Sequence, residues 1–119
     1  MDRKQIGRDA EQRAEQFLHQ QRMRTLLRNA YCRMGEIDLV MQDGDTIVFV
    51  EVRQRRHSHY GGAAQSVDHY KQRRLIQAAR YLMARHPNWS NYPCRFDVIA
   101  FEPDSDPQAP LWYKDAFRL

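Results

Sequence analysis

The spacing of apolar residues along this chain switches between helical and alternating, and the switches mark its elements. From about Lys4 to Gln21, Ile6, Ala10, Ala14, Phe17 and Leu18 recur at helical spacing and form one apolar stripe, which predicts an amphipathic helix. Glu11 falls at the edge of that stripe, in line with Ala14 and Leu18, whereas Glu15 is expected to point further towards solvent. Residues from about Arg24 to Arg33 read as a first strand, with Leu26, Leu27, Ala30, Tyr31 and Cys32 as its apolar content. Arg28, Asn29 and Arg33 give that strand the polar character of a sheet edge.

Gly35 to Arg53 reads as a hairpin. Ile37, Leu39, Val40 and Met41 lead into Asp43-Gly44, a strong turn signal, and Ile47 to Val52 is an almost continuous β-branched run, as in a strand covered on both faces. Ser66 is suited to cap a second helix from about Val67 to Arg85, whose buried stripe is Val67, Tyr70, Leu75, Ala78, Ala79, Leu82 and Met83 and which His86-Pro87 stops. Cys94 to Phe101 is apolar enough for a central strand, with Asp97 the odd residue, expected to cap or pair locally with Arg95. Glu102 to Pro110 is a loop rich in Pro and Asp, and Leu111 to Phe117 alternates like a last edge strand. The order α-β-β-β-α-β-β implies an α/β fold, a mixed sheet of four to five strands flanked by helices. With 119 residues and neither internal repeats nor a linker, residues 1–119 are expected to form one domain.

The hairpin carries acids where apolar residues would suffice. Side chains alternate faces along a strand, so with a two-residue loop at Asp43-Gly44, Asp38 would face Phe49 and Glu36 would face Glu51. Asp38, Glu51 and Arg53 then share one face, with Asp38 and Glu51 on a diagonal; a three-residue loop would send Asp38 to the other side. Two carboxylates at that spacing suit Mg²⁺, which takes one or two carboxylates and completes its shell with water and phosphate oxygens. Such a metal activates water and neutralises charge developing on phosphate. The alternative is a solvated face of scattered charge, or a simple Glu51–Arg53 ion pair.

Charge and composition move this picture only slightly. A net charge of +4, with 19 Lys and Arg against 15 Asp and Glu, suits a polyanion without demanding one. Arg55, Arg56 and Tyr60 lie in the basic, glycine-ended stretch that follows Arg53, where they are candidates for phosphate contact and base stacking. His57 and His59 have no further ligand partner, so zinc is not expected. Cys32 and Cys94 sit in separate strands without ligand spacing and read as reduced, buried cysteines of a cytoplasmic protein, with no membrane span.

The order Asp38, hairpin, Glu51-x-Arg53 resembles the PD-(D/E)xK nuclease motif of the restriction-endonuclease-like fold. GEIDLV and FVEVR, with RNAYCRMG before and RFDVIAF after, resemble the YraN family more closely, over roughly Gly7 to Phe117. That bacterial family of uncharacterised proteins is related in pattern to Holliday-junction resolvases. The resemblance implies a Mg²⁺- or Mn²⁺-dependent phosphodiesterase, with Asp38 and Glu51 as metal ligands, Glu11 as a helix acid and Arg53 as the basic residue. It also matches Lys71 to a recurrent helix lysine, offered here as phosphate-binding. One departure stands out: the motif's last residue is usually Lys, and Arg53 stays charged and can only position or stabilise.

The leading expectation is therefore an endonuclease on branched or structured nucleic acid, DNA ahead of RNA. A binding module that has lost catalysis is the alternative, as is a protein-recruiting adaptor presenting Leu111-Trp112-Tyr113. Resolvases act as two-fold pairs because they cut two strands, so a homodimer belongs to the first reading, although no residue identifies an interface.

Overall fold

A computed structural model describes residues 3–54, 67–102, 106 and 109–118, the side chains of Arg3, Lys4 and Ile6 excepted. Its elements are α1 (Arg3–Gln20), β1 (Arg24–Cys32), β2 (Gly35–Asp43), β3 (Thr46–Gln54), α2 (His69–Arg85), a 3₁₀ turn at Pro87–Trp89, β4 (Cys94–Phe101) and β5 (Leu111–Phe117). The five strands form one sheet in the order β1-β2-β3-β4-β5. All neighbours are antiparallel except β3 and β4, which run parallel and are joined through α2. This is the mixed α/β architecture expected of a restriction-endonuclease-like core, with a helix on each face.

The two faces of the sheet build two cores. Ala10, Ala14 and Leu18 of α1 pack on Leu39, Met41, Val48, Val50, Ile99 and Phe101. Leu75, Ala78, Ala79 and Leu82 of α2 pack on Ile37, Val40, Ile47, Phe49, Phe96 and Val98. Strict alternation along β3 divides its apolar run between both cores, which is why that run shows no polar face. Helix α1 ends where Arg22 turns left-handed (φ 67°), with Arg22 N donating to His19 O at 3.0 Å and Met23 N to Leu18 O at 3.1 Å. That pair of bonds satisfies the last carbonyls and drops Met23 into the α1 core beside Leu18.

Three expectations need correction. The loop residues of the hairpin are Gly44 and Asp45, closed by Asp43 opposite Thr46. Gly44 takes the left-handed conformation (φ 60°) and Asp45 does not, which is the requirement of a turn that places glycine first. The register thus shifts by two, an even step that keeps the residues from Leu39 to Asp43 on their expected faces and carries Asp38 from the diagonal of Glu51 towards its level. Second, α2 starts at His69 and is capped by Asp68, whose Oδ1 accepts from Lys71 N at 2.8 Å; Ser66 lies outside the described residues. Third, Glu15 does not point to solvent. It is buried, accepting Thr25 Oγ1 at 2.5 Å and Arg28 Nε at 2.9 Å, so Arg28 ties β1 to α1. Burial alone would raise the Glu15 carboxyl, but the bonds from Arg28 and Thr25 outweigh it and hold Glu15 below its ordinary range.

Asp97 is fully buried on β4. Its pairing with Arg95 is as expected, at 3.0 Å from Nε, and two further donors converge on it: Trp112 Nε1 and Asp115 N, each at 2.9 Å. Arg95 also reaches Asp43 at 2.9 Å, so one buried network joins the hairpin to the last strand. Both cysteines are free, Cys32 buried and Cys94 half-buried.

Candidate functional site

The irregular end of β2 is where the acids meet. Paired residues run Arg28↔Leu39 and then Ala30↔Ile37, passing over Asn29 and Asp38. Asn29 is left-handed there (φ 51°), a conformation Asn tolerates better than most residues. Across the hairpin, the paired register stops at Leu39↔Val50. Ile37 and Val40 pack in the α2 core and Leu39 in the α1 core, so the alternation slips once at Asp38. Instead of a ladder bond, Val52 N–H donates to Asp38 Oδ2 at 2.8 Å. The strand pair opens, and its gap is lined with carboxyl groups.

Glu51 lies beside Asp38 with its side chain only 6% exposed. Its Oε1 faces two cations, Arg53 NH1 at 3.4 Å and Lys71 Nζ at 3.6 Å. Its Oε2 is buried, and among the described residues no donor reaches it. Asp38 lies close enough to Glu51 and Glu11 for their charges to act on it. Glu11 from α1 and Glu36 from β2 complete the group, each placing an oxygen within 4.8 Å of the others and of Asp38. Asn29 Nδ2 holds these two outer acids together, donating to Glu11 at 3.0 Å and to Glu36 at 2.9 Å.

Burial raises both inner carboxyls. Asp38 is pushed up to about 9, first by loss of water, then by the charge of Glu51 and, less, of Glu11, against the opposing bond from Val52. Glu51 is also raised by burial, although Lys71 and Arg53 pull it the other way. The pair therefore holds a proton at neutral pH or exchanges it for a cation. Oxygen donors only, an unmatched buried oxygen and excess negative charge fit a hard divalent ion; the oxygens of Glu11, Glu36 and Asp38 converge for one, and Glu51 stands beside them.

This electrostatics predicts the direction of a pH effect. A carboxyl raised in the folded state contributes stability below its unfolded pKa, and that stability is lost as pH rises towards the folded value. In EDTA, the Tm should fall between about pH 4 and about 9. Millimolar Mg²⁺ should restore most of the loss at pH 8 and little at pH 5. A Tm that rises with pH over this range in EDTA would mean that the pair is not protonated.

Of the residues named from sequence, Glu11, Asp38, Glu51, Arg53 and Lys71 converge here. Arg55, Arg56 and Tyr60 lie outside the described residues. Two contributors were missed. Glu36 had a signal, since it sits two residues before Asp38 on the same strand. Asn29 had none, because its role depends on a left-handed kink. Of the last strand's apolar residues, Trp112 stacks edge-on to Phe17 at 5.8 Å and is bonded to Asp97, which leaves Leu111 and Tyr113 as the exposed pair.

Fold and site together define a mixed α/β protein with a cation-flanked carboxylate cluster, partly buried, at an open strand pair. The chain belongs to the uncharacterised protein family UPF0102, whose family model matches residues 10–101. It is 54% identical over 116 residues to the UPF0102 protein of Pseudomonas syringae pv. syringae (strain B728a), covering 97% of this chain and 94% of the relative. It is also 54% identical over 117 residues to the UPF0102 protein of Alcanivorax borkumensis, covering 97% and 93%. No helix among the described residues is long and apolar enough to cross a membrane.

Proposed function

We propose that this protein binds nucleic acid and is a Mg²⁺-dependent endonuclease acting on branched or otherwise structured DNA. The observation that supports this best is the buried, unmatched oxygen of Glu51 beside the half-buried Asp38 carboxyl. Such a pair is costly to keep in a fold unless a cation is bound there in the working state. Asp38 and Glu51 would hold the ion, with Glu11 and Glu36 as outer oxygen donors. A bound divalent ion supplies an acidified water and neutralises the charge that develops on the phosphate.

The protein's own residues do the rest. Arg53 and Lys71 flank one oxygen of Glu51 and leave the other to the metal side. Lys71 brings from α2 the ammonium that the motif position lacks, so the Arg at position 53 does not leave the site without a lysine. Arg53 offers a fixed planar charge for a phosphate oxygen, and Lys71 a compact ammonium with three donors. Asn29 keeps Glu11 and Glu36 turned towards Asp38. Val52 N–H fixes Asp38 by one oxygen.

The test is cleavage of labelled duplex, single-stranded, flap and four-way-junction DNA and of RNA, with Mg²⁺ or Mn²⁺. EDTA and Glu51→Gln protein are the controls. Cutting that vanishes in both controls supports the proposal and names the substrate. Salt-dependent binding that survives Glu51→Gln with no cutting at any metal concentration would overturn it in favour of a binding module. Within the active enzyme, Lys71→Ala should lower kcat about 10²-fold, the range of a lost charge-stabilising donor. Arg53→Lys should retain activity within a few-fold. The reverse ranking would return the motif role to position 53.

A further inference from the structure

Around α2 from Lys71, a separate groove of about 450 Å³ is lined by Arg33, Met34, Tyr70, Arg73, Arg74 and Gln77. It lies between the β1–β2 turn and the first turns of the helix. Arg74 fixes the two walls together: its Nε donates to Met34 O at 3.0 Å. Gly35, next to Met34, has a backbone conformation that L residues rarely adopt (φ 147°), and a Cβ there would meet Arg74 Nε only at ordinary contact distance, 4.0 Å, so glycine serves the turn and not the approach of Arg74. The guanidinium of Arg74 also lies over the Tyr70 ring, 5.9 Å from its centre. Tyr70, expected from sequence in the buried stripe of α2, is instead 63% exposed. Arg33 and Arg73 are exposed, and neither pairs with an acid among the described residues.

A ring backed by an ordered guanidinium, with unpaired arginines beside it, is a platform for an aromatic base with flanking phosphates. Duplex DNA offers the phosphates but keeps its bases stacked in pairs, so the exposed ring would find no partner. We infer that this groove binds a single-stranded segment of nucleic acid, with one base stacked on Tyr70 and adjacent phosphates on Arg33 and Arg73. Lys71 links the two places: its backbone follows Tyr70, and its ammonium lies 3.6 Å from Glu51. A strand held in the groove thus leads to the carboxylates. The inference rests on the nucleic-acid reading above and narrows its substrate to one with an unpaired arm, such as a flap or fork.

Binding distinguishes the two claims, because it needs no catalysis. Fluorescence anisotropy with a labelled single-stranded oligonucleotide and a matching duplex, in EDTA, should show Tyr70→Ala raising the single-strand Kd about tenfold, with Tyr70→Trp restoring it. Duplex affinity should change less than twofold. Arg33→Ala with Arg73→Ala should flatten the single-strand salt dependence by about 1.4 in slope, two phosphates' worth. Tyr81 makes the same ring contact with Arg85 further along the helix, so Tyr81→Ala is the control and should change neither Kd. Equal loss of single-strand and duplex binding in Tyr70→Ala would overturn the single-strand assignment, as would no loss at all. These outcomes are independent of whether Glu51→Gln abolishes cutting, which judges the nuclease reading alone.

Discussion

Glu51→Gln should abolish metal-dependent cleavage and at the same time make the metal-free protein more stable. The loss should be about 10³-fold or more in kcat. Removing the ligand charge forfeits several kcal/mol of metal-mediated stabilisation, and each 1.36 kcal/mol is tenfold in rate. The gain in stability follows from the same burial. Gln has the shape of Glu and no charge to desolvate, and its amide can donate to Asp38, which the carboxylate cannot do without a proton. Lys71 and Arg53 lose a partner, but their side chains are 40% and 32% exposed, so water replaces it at small cost. A net gain of about 1 kcal/mol, or roughly 3–6 °C in Tm at pH 8 in EDTA, is the expected size. Added Mg²⁺ should raise the Tm of the parent protein and leave Glu51→Gln nearly unmoved. A variant that is both inactive and less stable would mean that Glu51 is a structural ion-pair partner of Lys71 and Arg53 and not a metal ligand.

That opposition of stability and activity is written partly in the sequence. Glu51 stands in an apolar run with no local need for a charge, and Asp38 shares its strand parity, so their meeting was legible from alternation alone. The exact register was not. Asp43-Gly44 and Gly44-Asp45 are both acceptable two-residue turns, and only the backbone of Gly44 decides between them. Because the two differ by an even step, the faces from Leu39 to Asp43 survived the error, and Asp38 came nearer the level of Glu51. Glu15 failed for a different reason. Its position on the helical wheel was read against solvent, but β1 brings Thr25 and Arg28 over it, and a wheel contains no information about what crosses it. The lysine followed the same logic from the other side. Position 53 is Arg in the strand, and only the packing of α2 on the sheet shows that Lys71 reaches the same carboxylate.

Asp97→Ala should be the most destabilising single change outside the two apolar cores, by about 3 kcal/mol or more. Three donors end on its carboxylate, from Arg95, Trp112 and the backbone of Asp115, and the side chain has no exposure. Removing it leaves the indole N–H, a backbone N–H and a mostly buried guanidinium facing a void; losing one partner of a buried pair alone costs about 3–5 kcal/mol. Arg95 keeps Asp43, which places the estimate at the lower end of that range. The denaturation midpoint in urea should fall with an unchanged m-value, and Tm should fall by about 10 °C. Asp97→Asn retains an acceptor for Trp112 or Asp115 and should cost about half as much. The loss should appear first in β5, as faster amide exchange from Leu111 to Phe117, because Trp112 and Asp115 are the residues Asp97 holds there. Uniform loss of protection across the sheet would instead show that β5 is secured by its ring contacts, Phe17 with Trp112 and Phe96 with Phe117, and that Asp97 serves the central strands.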